Sequence, residues 1–315
     1  TGGTGNLGSK LSKQLLSYDP PKYRVSLIEH PQFFNTSKVP PGAHVTKGDV
    51  GNIESGLSPD GGWVNSFDDA DAVIHFSAVN PYPNATWDQS AESMDHCCNV
   101  FNAACSRGVR RVIFATTSHT MGGYKDVDPP LEAGTLGPDL PPKVGTKLLD
   151  PVALEASGDS VAYGAAKLCG ERLAASLAAL HAPRTTFVCL RVGWCQPGDN
   201  LPETLSAAGS PPEFQSDTGV SEEEKRGENG GTDELWFKGM WLSNRDFLAY
   251  FEAALGIEVP LAWDDDKNQL SKSPHRHKRR GFLLLYAMSR NTNAKWDLKD
   301  TEKYLGVKSQ DDSFR

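Results

Sequence analysis

Tyr163 and Lys167 are the two residues of this sequence whose types and spacing best fit acid–base chemistry. They lie at positions i and i+4 of residues 160–180, a segment rich in helix formers, so both side chains are expected on one face of a helix. A phenol has a pKa of about 10 and is a poor base at neutral pH. A neighbouring ammonium group favours the phenolate and lowers that pKa. The pair therefore predicts a general base, although a lone Tyr-x-x-x-Lys can also be ordinary helix surface.

A glycine-rich turn opens the sequence. Gly2, Gly5 and Gly8 have the spacing of a turn that brings the backbone close to a pyrophosphate, which then rests on the N-terminus of the next helix. Asn6 and Leu7 belong to the same turn. We therefore predict a dinucleotide site at these five residues.

Such a turn normally follows a buried strand, and the sequence has none before Thr1. A sheet without its first strand would leave the neighbouring strand edges unpaired inside the core. We therefore expect the sequence to be a fragment that lacks the initiator Met, the first strand and any targeting segment.

Acidic residues follow two strand-like segments. Glu29 lies 21 residues after Gly8, the distance at which a carboxylate binds the ribose hydroxyls of a dinucleotide and repels a 2′-phosphate. This spacing favours NAD over NADP, with an ordinary strand-end charge as the alternative interpretation. Asp49, with Val50 beside it, ends a second short strand and is placed to reach the adenine.

Two further strand ends are predicted to meet the dinucleotide and the substrate. Residues 72–78 have the composition of a buried strand and end in Phe76, Ser77 and Ala78, where small residues let a dinucleotide lie close to the backbone. The next strand leads to Thr117, whose hydroxyl is placed to orient the oxygen of a substrate.

Strands alternate with helices along the chain, a pattern that predicts the α/β class and a Rossmann-type doubly wound parallel sheet. Ligands of such a sheet bind outside the C-terminal ends of its strands. We expect residues 1–190 to form the NAD-binding Rossmann domain, and residues 191–315 to form a smaller substrate lobe partly interleaved with it. Residues 126–145, 201–234 and 264–280 have the composition of insertions.

The composition excludes several classes of protein. With 32 Lys and Arg against 40 Asp and Glu, the 315 residues carry a net charge of −8, which argues against a nucleic-acid partner. The longest apolar run, residues 282–288, is far shorter than the roughly 20 residues of a membrane span. No pair of the six cysteines has Cys-x-x-Cys spacing, so no metal site is predicted. Free thiols indicate a reducing compartment, the cytoplasm.

Three blocks of the sequence resemble the extended short-chain dehydrogenase/reductase family, in its NAD-dependent epimerase/dehydratase branch. They are residues 114–122, 163–167 and 190–197. The last of these blocks, together with residues 241–247 and 289–297, is most similar to the uronate dehydrogenases and related sugar dehydrogenases of that family.

The resemblance implies a role for each chemically competent residue. Thr117 falls on the catalytic hydroxyl, Tyr163 on the catalytic base and Lys167 on the lysine that binds the nicotinamide ribose. The implied activity is an NAD-dependent oxidation of a hydroxyl group on a sugar or sugar acid of the uronate type.

The resemblance also indicates a substrate side. Ser118 and His119 match positions that contact the sugar and its carboxylate, and Asn80 falls where another substrate contact lies. Trp194 stands where uronate dehydrogenases have a serine. Their carboxylate-binding arginine has no counterpart in residues 199–204.

Two other functions remain open at this point. A nucleotide-sugar epimerase or dehydratase would recycle its NAD, although a dehydratase usually has acidic residues where Ser118 and His119 stand. An inactive NAD-binding scaffold subunit is the other alternative. Related proteins often dimerise through two helices, here residues 91–107 and 162–181, so the resemblance implies a homodimer.

Overall fold

The computed structural model describes residues 1–79, 86–125, 127–145, 161–205, 230–261 and 278–315. Its strands are β1 (Ser26–Glu29), β2 (His44–Lys47), β3 (Ala72–His75), β4 (Arg111–Thr117), β5 (Thr186–Val192), β6 (Lys278–Arg279) and β7 (Phe282–Ala287). Its α-helices are α1 (Asn6–Leu16), α2 (Ile53–Gly56), α3 (Trp87–Arg107), α4 (Val161–His181), α5 (Gly230–Met240), α6 (Asn244–Gly256) and α7 (Lys299–Leu305). Short 3₁₀ helices span Thr36–Lys38, Trp63–Phe67, Ser118–Tyr124 and Pro202–Thr204.

The strands form a largely parallel arrangement. The main sheet has the order β3-β4-β5-β7-β6, with β6 antiparallel to β7 and the other neighbours parallel, and β1 and β2 form a separate parallel pair. In the central pair, Thr117 at the end of β4 is level with Val192 at the end of β5. Both strands therefore end at one edge of the sheet, where Rossmann-type proteins bind their ligands.

Helices cover both faces of this sheet. Successive side chains of a strand point to opposite faces, and those of β4 and β5 alternate between two apolar clusters. Phe114 and Phe187 pack with α3 and α4 on one face, whereas Ile113 and Val188 pack with α1 and α6 on the other. This arrangement confirms the predicted α/β, doubly wound class.

Helix α3 begins earlier than the apolar pattern predicts, at Trp87. Thr86 and Gln89 form a capping box there, in which each side chain bonds the backbone N–H of the other residue. This pairing satisfies two N–H groups that the first turn of a helix cannot bond internally. The helix ends at Arg107, and Gly108 follows as its C-cap with a positive φ of 71° that closes the last turn.

Thr1 and Gly2 lie between β1 and β3. The Thr1 amino group donates to the Ile74 carbonyl at 3.0 Å, and the Gly2 N–H donates to the Ile28 carbonyl at 3.3 Å. Beside them, a cavity of about 1040 Å³ is lined by residues of both strands. The predicted first strand stays a prediction, as do the predicted domain limits.

Among the residues with a described placement, no helix is both long and apolar enough to cross a membrane.

Candidate active site

A cavity of about 540 Å³ lies at the C-terminal ends of β4 and β5. Most of the predicted site residues line it: Gly2, Gly5, Asn6, Leu7, Gly8, Phe76, Ala78, Thr117, His119, Tyr163, Lys167 and Trp194. The glycine turn, the strand ends and helix α4 thus meet at one cleft, as the sheet topology requires.

Tyr163 is held at this cleft by the first turn of α4. Its surroundings raise the pKa of the phenol to about 12, because burial disfavours the charged phenolate, while a hydrogen bond with the Thr117 side chain acts in the opposite direction. Thr117 itself is buried at the end of β4. The phenol and the hydroxyl therefore lie together, as the sequence predicts.

Lys167 follows Tyr163 by one helical turn and is buried. Its ammonium group donates to the Ala115 carbonyl at 2.9 Å and lies 5.9 Å from the centre of the Tyr163 ring. Burial lowers the pKa of this amine. The expected fall of the phenol pKa beside Lys167 is therefore not found, because desolvation of the phenol outweighs the opposing hydrogen bond with Thr117.

A buried ion pair supports the helix that carries these residues, and sequence reasoning missed it. The Arg191 guanidinium donates to both carboxylate oxygens of Glu171, at 2.9 and 2.8 Å, and the Thr116 hydroxyl donates to the same carboxylate at 2.8 Å. Burial acts to lower the Arg191 pKa, but the Glu171 carboxylate outweighs burial and raises it. The signal in the sequence was Glu171 itself, one further turn along the face of Tyr163 and Lys167. The pair fixes α4 to β4 and β5.

The glycine turn has the shape that a pyrophosphate needs. Gly2 has a φ of +67°, and a Cβ there would lie 2.9 Å from the Ser77 nitrogen, while a Cβ on Gly8 would collide with the Gly2 carbonyl oxygen. At Gly5, the N-cap of α1, no side chain caps the helix, so the N-terminus of α1 faces the cavity without a capping group of its own among the described residues. This cradle fits the diphosphate of a dinucleotide.

The two predicted acidic residues lie outside the lining of the cavity. Glu29 is buried at the end of β1, and its carboxylate accepts hydrogen bonds from the Thr4 N–H at 3.1 Å and the Thr4 hydroxyl at 2.5 Å. The Asp49 carboxylate accepts a hydrogen bond from the Gly51 N–H at 2.8 Å, and its Oδ2 atom lies 3.8 Å from His30 Nε2. The Glu29 carboxylate therefore borders the glycine turn, whereas Asp49 lies beside Gly51 and His30.

Two other predicted cofactor residues also lie outside the lining of the cavity. Val50 is buried in the apolar cluster under α3. The Ser77 hydroxyl lies 3.2 Å from His96 Nδ1.

The predicted substrate side is brought together only in part. His119 and Trp194 line the cavity, with ring centroids 6.2 Å apart. Ser118 differs from the prediction: its buried hydroxyl donates to the Val192 carbonyl at 3.1 Å, because the 3₁₀ turn after β4 directs it into the sheet. Asn80 lies outside the described residues.

Several further lining residues were not predicted as site residues, although all but Met240 lie in the sequence blocks 114–122 and 190–197. They come from the ends of β4 and β5, the segment after β5 and the end of α5: Ala115, Thr116, Val192, Gly193, Cys195, Gln196, Pro197 and Met240. Met240, at the end of α5, reaches the cleft only through the tertiary structure. In the part of the chain that the structure describes, no group of three or more His, Cys, Asp or Glu residues is placed to hold a metal ion.

Comparison with known proteins identifies the family. The model of the NAD dependent epimerase/dehydratase family matches residues 1–193, more than half of the chain. L-arabinose 1-dehydrogenase (NAD(P)(+)) from Haloferax volcanii is 29% identical over 147 residues, which are 44% of this chain and 51% of that protein. Uronate dehydrogenase from Agrobacterium fabrum is 31% identical over 188 residues, which are 59% of this chain and 49% of that protein. The chain thus spans about half the length of these two relatives.

The fold is shared with a solved structure, glucuronic acid dehydrogenase from Chromohalobacter salexigens. The TM-score is 0.61 at 19% identity, and the match covers 99% of this chain and 84% of the other. The family match, the glycine cradle and the parallel sheet agree with the resemblance seen in the sequence, and the chain belongs to the NAD dependent epimerase/dehydratase family.

Proposed function

We propose that this protein is an NAD-dependent sugar dehydrogenase that oxidises a hydroxyl group of a sugar or sugar acid, with Tyr163 as the general base. The observation that carries the proposal is the meeting of Tyr163, Thr117 and the glycine cradle at one cavity. The names of two relatives, an arabinose dehydrogenase and a uronate dehydrogenase, support a sugar as the substrate.

In this proposal Thr117, Tyr163 and Lys167 each have one role in the reaction. Thr117 orients the substrate hydroxyl by hydrogen bonding, and Tyr163 accepts its proton on the phenolic oxygen. Lys167 keeps a positive charge on the same helix face, which favours the phenolate form that Tyr163 must adopt before it accepts the proton. NAD, when bound, supplies the acceptor for the hydride that leaves the same carbon. The sugar product is a lactone or a ketone, depending on which hydroxyl reacts.

The cofactor would lie along the edge of the sheet from the glycine turn towards Tyr163. Gly2, Gly5 and Gly8 would receive the pyrophosphate, and Glu29 would bind the adenosine ribose from the end of β1. Asp49 would lie next to the adenine. The buried Glu29 carboxylate beside Thr4 supports NAD rather than NADP, since a 2′-phosphate would meet a negative charge there.

An epimerase that recycles NAD is the second candidate, because the family includes epimerases and they share the need for a tyrosine base. A dehydratase needs an additional acid beside its tyrosine base. The neutral His119 next to Tyr163 therefore supports a dehydrogenase rather than a dehydratase.

The deciding experiment is an absorbance assay for NADH with the purified protein, NAD and a panel of free aldoses, uronates and nucleotide sugars. Net NADH formation with a free sugar supports the dehydrogenase. Conversion of a nucleotide sugar without net NADH supports the epimerase and contradicts our proposal. Binding of NAD with no conversion of any sugar supports the scaffold alternative.

We also propose a homodimer formed through α3 and α4, which pack against each other on one face of the sheet. Leu180, near the end of α4, is 77% exposed and is one apolar group that such an interface would cover. All six cysteines are free, which supports a reducing compartment such as the cytoplasm. Light scattering tests the oligomeric state directly.

A further inference from the structure

One wall of the candidate active site is built from aromatic rings. The His119 ring lies 6.1 Å from the Tyr163 ring and 6.2 Å from the Trp194 ring, measured between centroids. Trp194 in turn lies 5.8 Å from Phe237 on α5. All three contacts are edge-to-face, an arrangement that stabilises aromatic pairs. A continuous row of rings therefore leads from the proposed base across the cleft to α5.

The backbone holds Trp194 rigidly in this row. The Trp194 N–H donates to the Met240 carbonyl at 2.8 Å, and the Trp194 carbonyl accepts from the Leu242 N–H at 2.8 Å. A Cβ on the preceding Gly193 would collide with the Met240 carbonyl, so the two segments approach as closely as the backbone allows. Trp194 is half-buried and lines the cavity. It forms a fixed apolar platform, since an indole has few rotamers to lose on binding.

The charge of this wall does not suit a carboxylate. Lys167 is the one cationic side chain among the described residues that line the cavity, and its ammonium group already bonds the Ala115 carbonyl. Nearby, the Lys10 ammonium donates to the Gln196 carbonyl at 2.5 Å and to Asn244 Oδ1 at 2.6 Å. Burial lowers the pKa of His119 to about 4, so its ring is neutral at neutral pH. A carboxylate placed against these rings would lose its hydration without gaining a cation from the lining residues that the structure describes.

We propose that Trp194 is the sugar-recognition residue of this site and that it selects a neutral aldose over a uronate. The indole covers the apolar face of C–H groups that a sugar ring presents, and the row of neutral rings disfavours a carboxylate at that position. This inference rests on the proposed function and narrows its substrate class.

The first test compares two sugars that differ at one carbon. D-galactose and D-galacturonate share every ring hydroxyl and differ only in a hydroxymethyl or a carboxylate group. We expect kcat/KM of the wild-type protein to be higher for galactose by at least about tenfold, the effect of one poorly compensated polar group. An equal or higher value for galacturonate overturns the inference.

The second test replaces the Trp194 side chain. Trp194→Ser is expected to lower kcat/KM for galactose by about tenfold, mainly through a higher KM, and so to reduce the ratio between the two sugars. Trp194→Phe keeps an aromatic face and should retain most of that ratio. Trp87→Ser, at the half-exposed start of α3 and away from the cavity, is the matched control. Because the ratio is measured within one preparation, partial misfolding does not change it. An unchanged galactose KM in Trp194→Ser overturns the inference.

A binding measurement separates this inference from the proposed function. Calorimetry gives the affinity of each sugar for the Tyr163→Phe variant loaded with NAD, where turnover does not interfere. A preference for galactose that is lost in Trp194→Ser/Tyr163→Phe supports the role of Trp194 even when no sugar is oxidised by the wild type. No preference, or a preference for galacturonate, contradicts the role of Trp194 whatever the activity.

Discussion

The two walls of the candidate active site are built by different means. The wall that would do the chemistry, with Thr117 and Tyr163, is fixed by hydrogen bonds and by the buried Arg191–Glu171 pair behind it. The wall that would recognise the substrate consists of rings in edge contact, centred on Trp194. The proposed chemistry would therefore depend on one helix and one strand end, whereas the proposed selectivity would depend on contacts between the segment after β5 and α5.

The largest expected effect is on the chemical wall. Tyr163→Phe should lower kcat by at least about 1000-fold, because it removes the group that accepts the proton. The NAD affinity, measured by calorimetry, should change little, since the ring and the glycine cradle remain. A variant that keeps more than about a tenth of the wild-type kcat would mean that Tyr163 is not the base.

Next in size is the cost of breaking the buried ion pair. Arg191→Met leaves the Glu171 carboxylate buried without its cation, and we expect a loss of about 3–5 kcal/mol in the free energy of unfolding. Urea denaturation measures this loss. Asp68→Asn is the control, because it breaks the half-exposed pair with Arg107 and should cost at most about 1 kcal/mol. Equal losses in the two variants would show that the buried pair stabilises the fold no more than the half-exposed pair does.

On the recognition wall, His119 should make stability depend on pH. Its pKa is about 4 in the folded protein and about 6.5 when unfolded, so the unfolded chain binds more protons between these values. Stability should therefore fall as the pH drops from about 6.5 to about 4, by on the order of 3 kcal/mol. His119→Phe should show a flatter profile over the same range in urea titrations. Parallel profiles for the two proteins would contradict a buried neutral imidazole.

The smallest of these effects concerns two neighbouring hydroxyls of β4. Thr117→Val should lower kcat by about 100-fold, since Thr117 faces Tyr163 and orients the substrate oxygen. The Thr116 hydroxyl instead donates to the buried Glu171 carboxylate, so Thr116→Val should mainly lower stability, by about 1 kcal/mol. A larger loss of kcat in Thr116→Val than in Thr117→Val would reverse the proposed assignment of the two side chains.

Much of the chemical wall could be predicted from the sequence. Tyr163 and Lys167 lie one turn apart on a single helix, and Gly2, Gly5 and Gly8 lie within one turn, so local spacing alone brings each set together. Thr117 was predictable because parallel strands end at one edge of the sheet. Their roles in catalysis and cofactor binding stay predictions.

The rest required the folded chain. The row of rings depends on the parallel bridge between Trp194 and Trp241, which joins two segments with no shared pattern in the sequence. The inward turn of Ser118 follows from hydrogen bonds to β5 that spacing does not reveal. The raised pKa of Tyr163 results from burial, which depends on everything packed around the phenol.

We expect the Tyr163 phenol to become an effective base only when NAD occupies the cleft, and an ultraviolet titration of tyrosinate tests this expectation directly. The difference between the wild type and Tyr163→Phe isolates this one phenol, with and without NAD. We predict a pKa of about 12 in the free protein and a value below the ordinary tyrosine pKa of about 10 with NAD bound, because the cofactor brings a positive charge into the cleft. A difference spectrum that does not respond to NAD would contradict the proposal that the bound cofactor lowers the pKa of Tyr163.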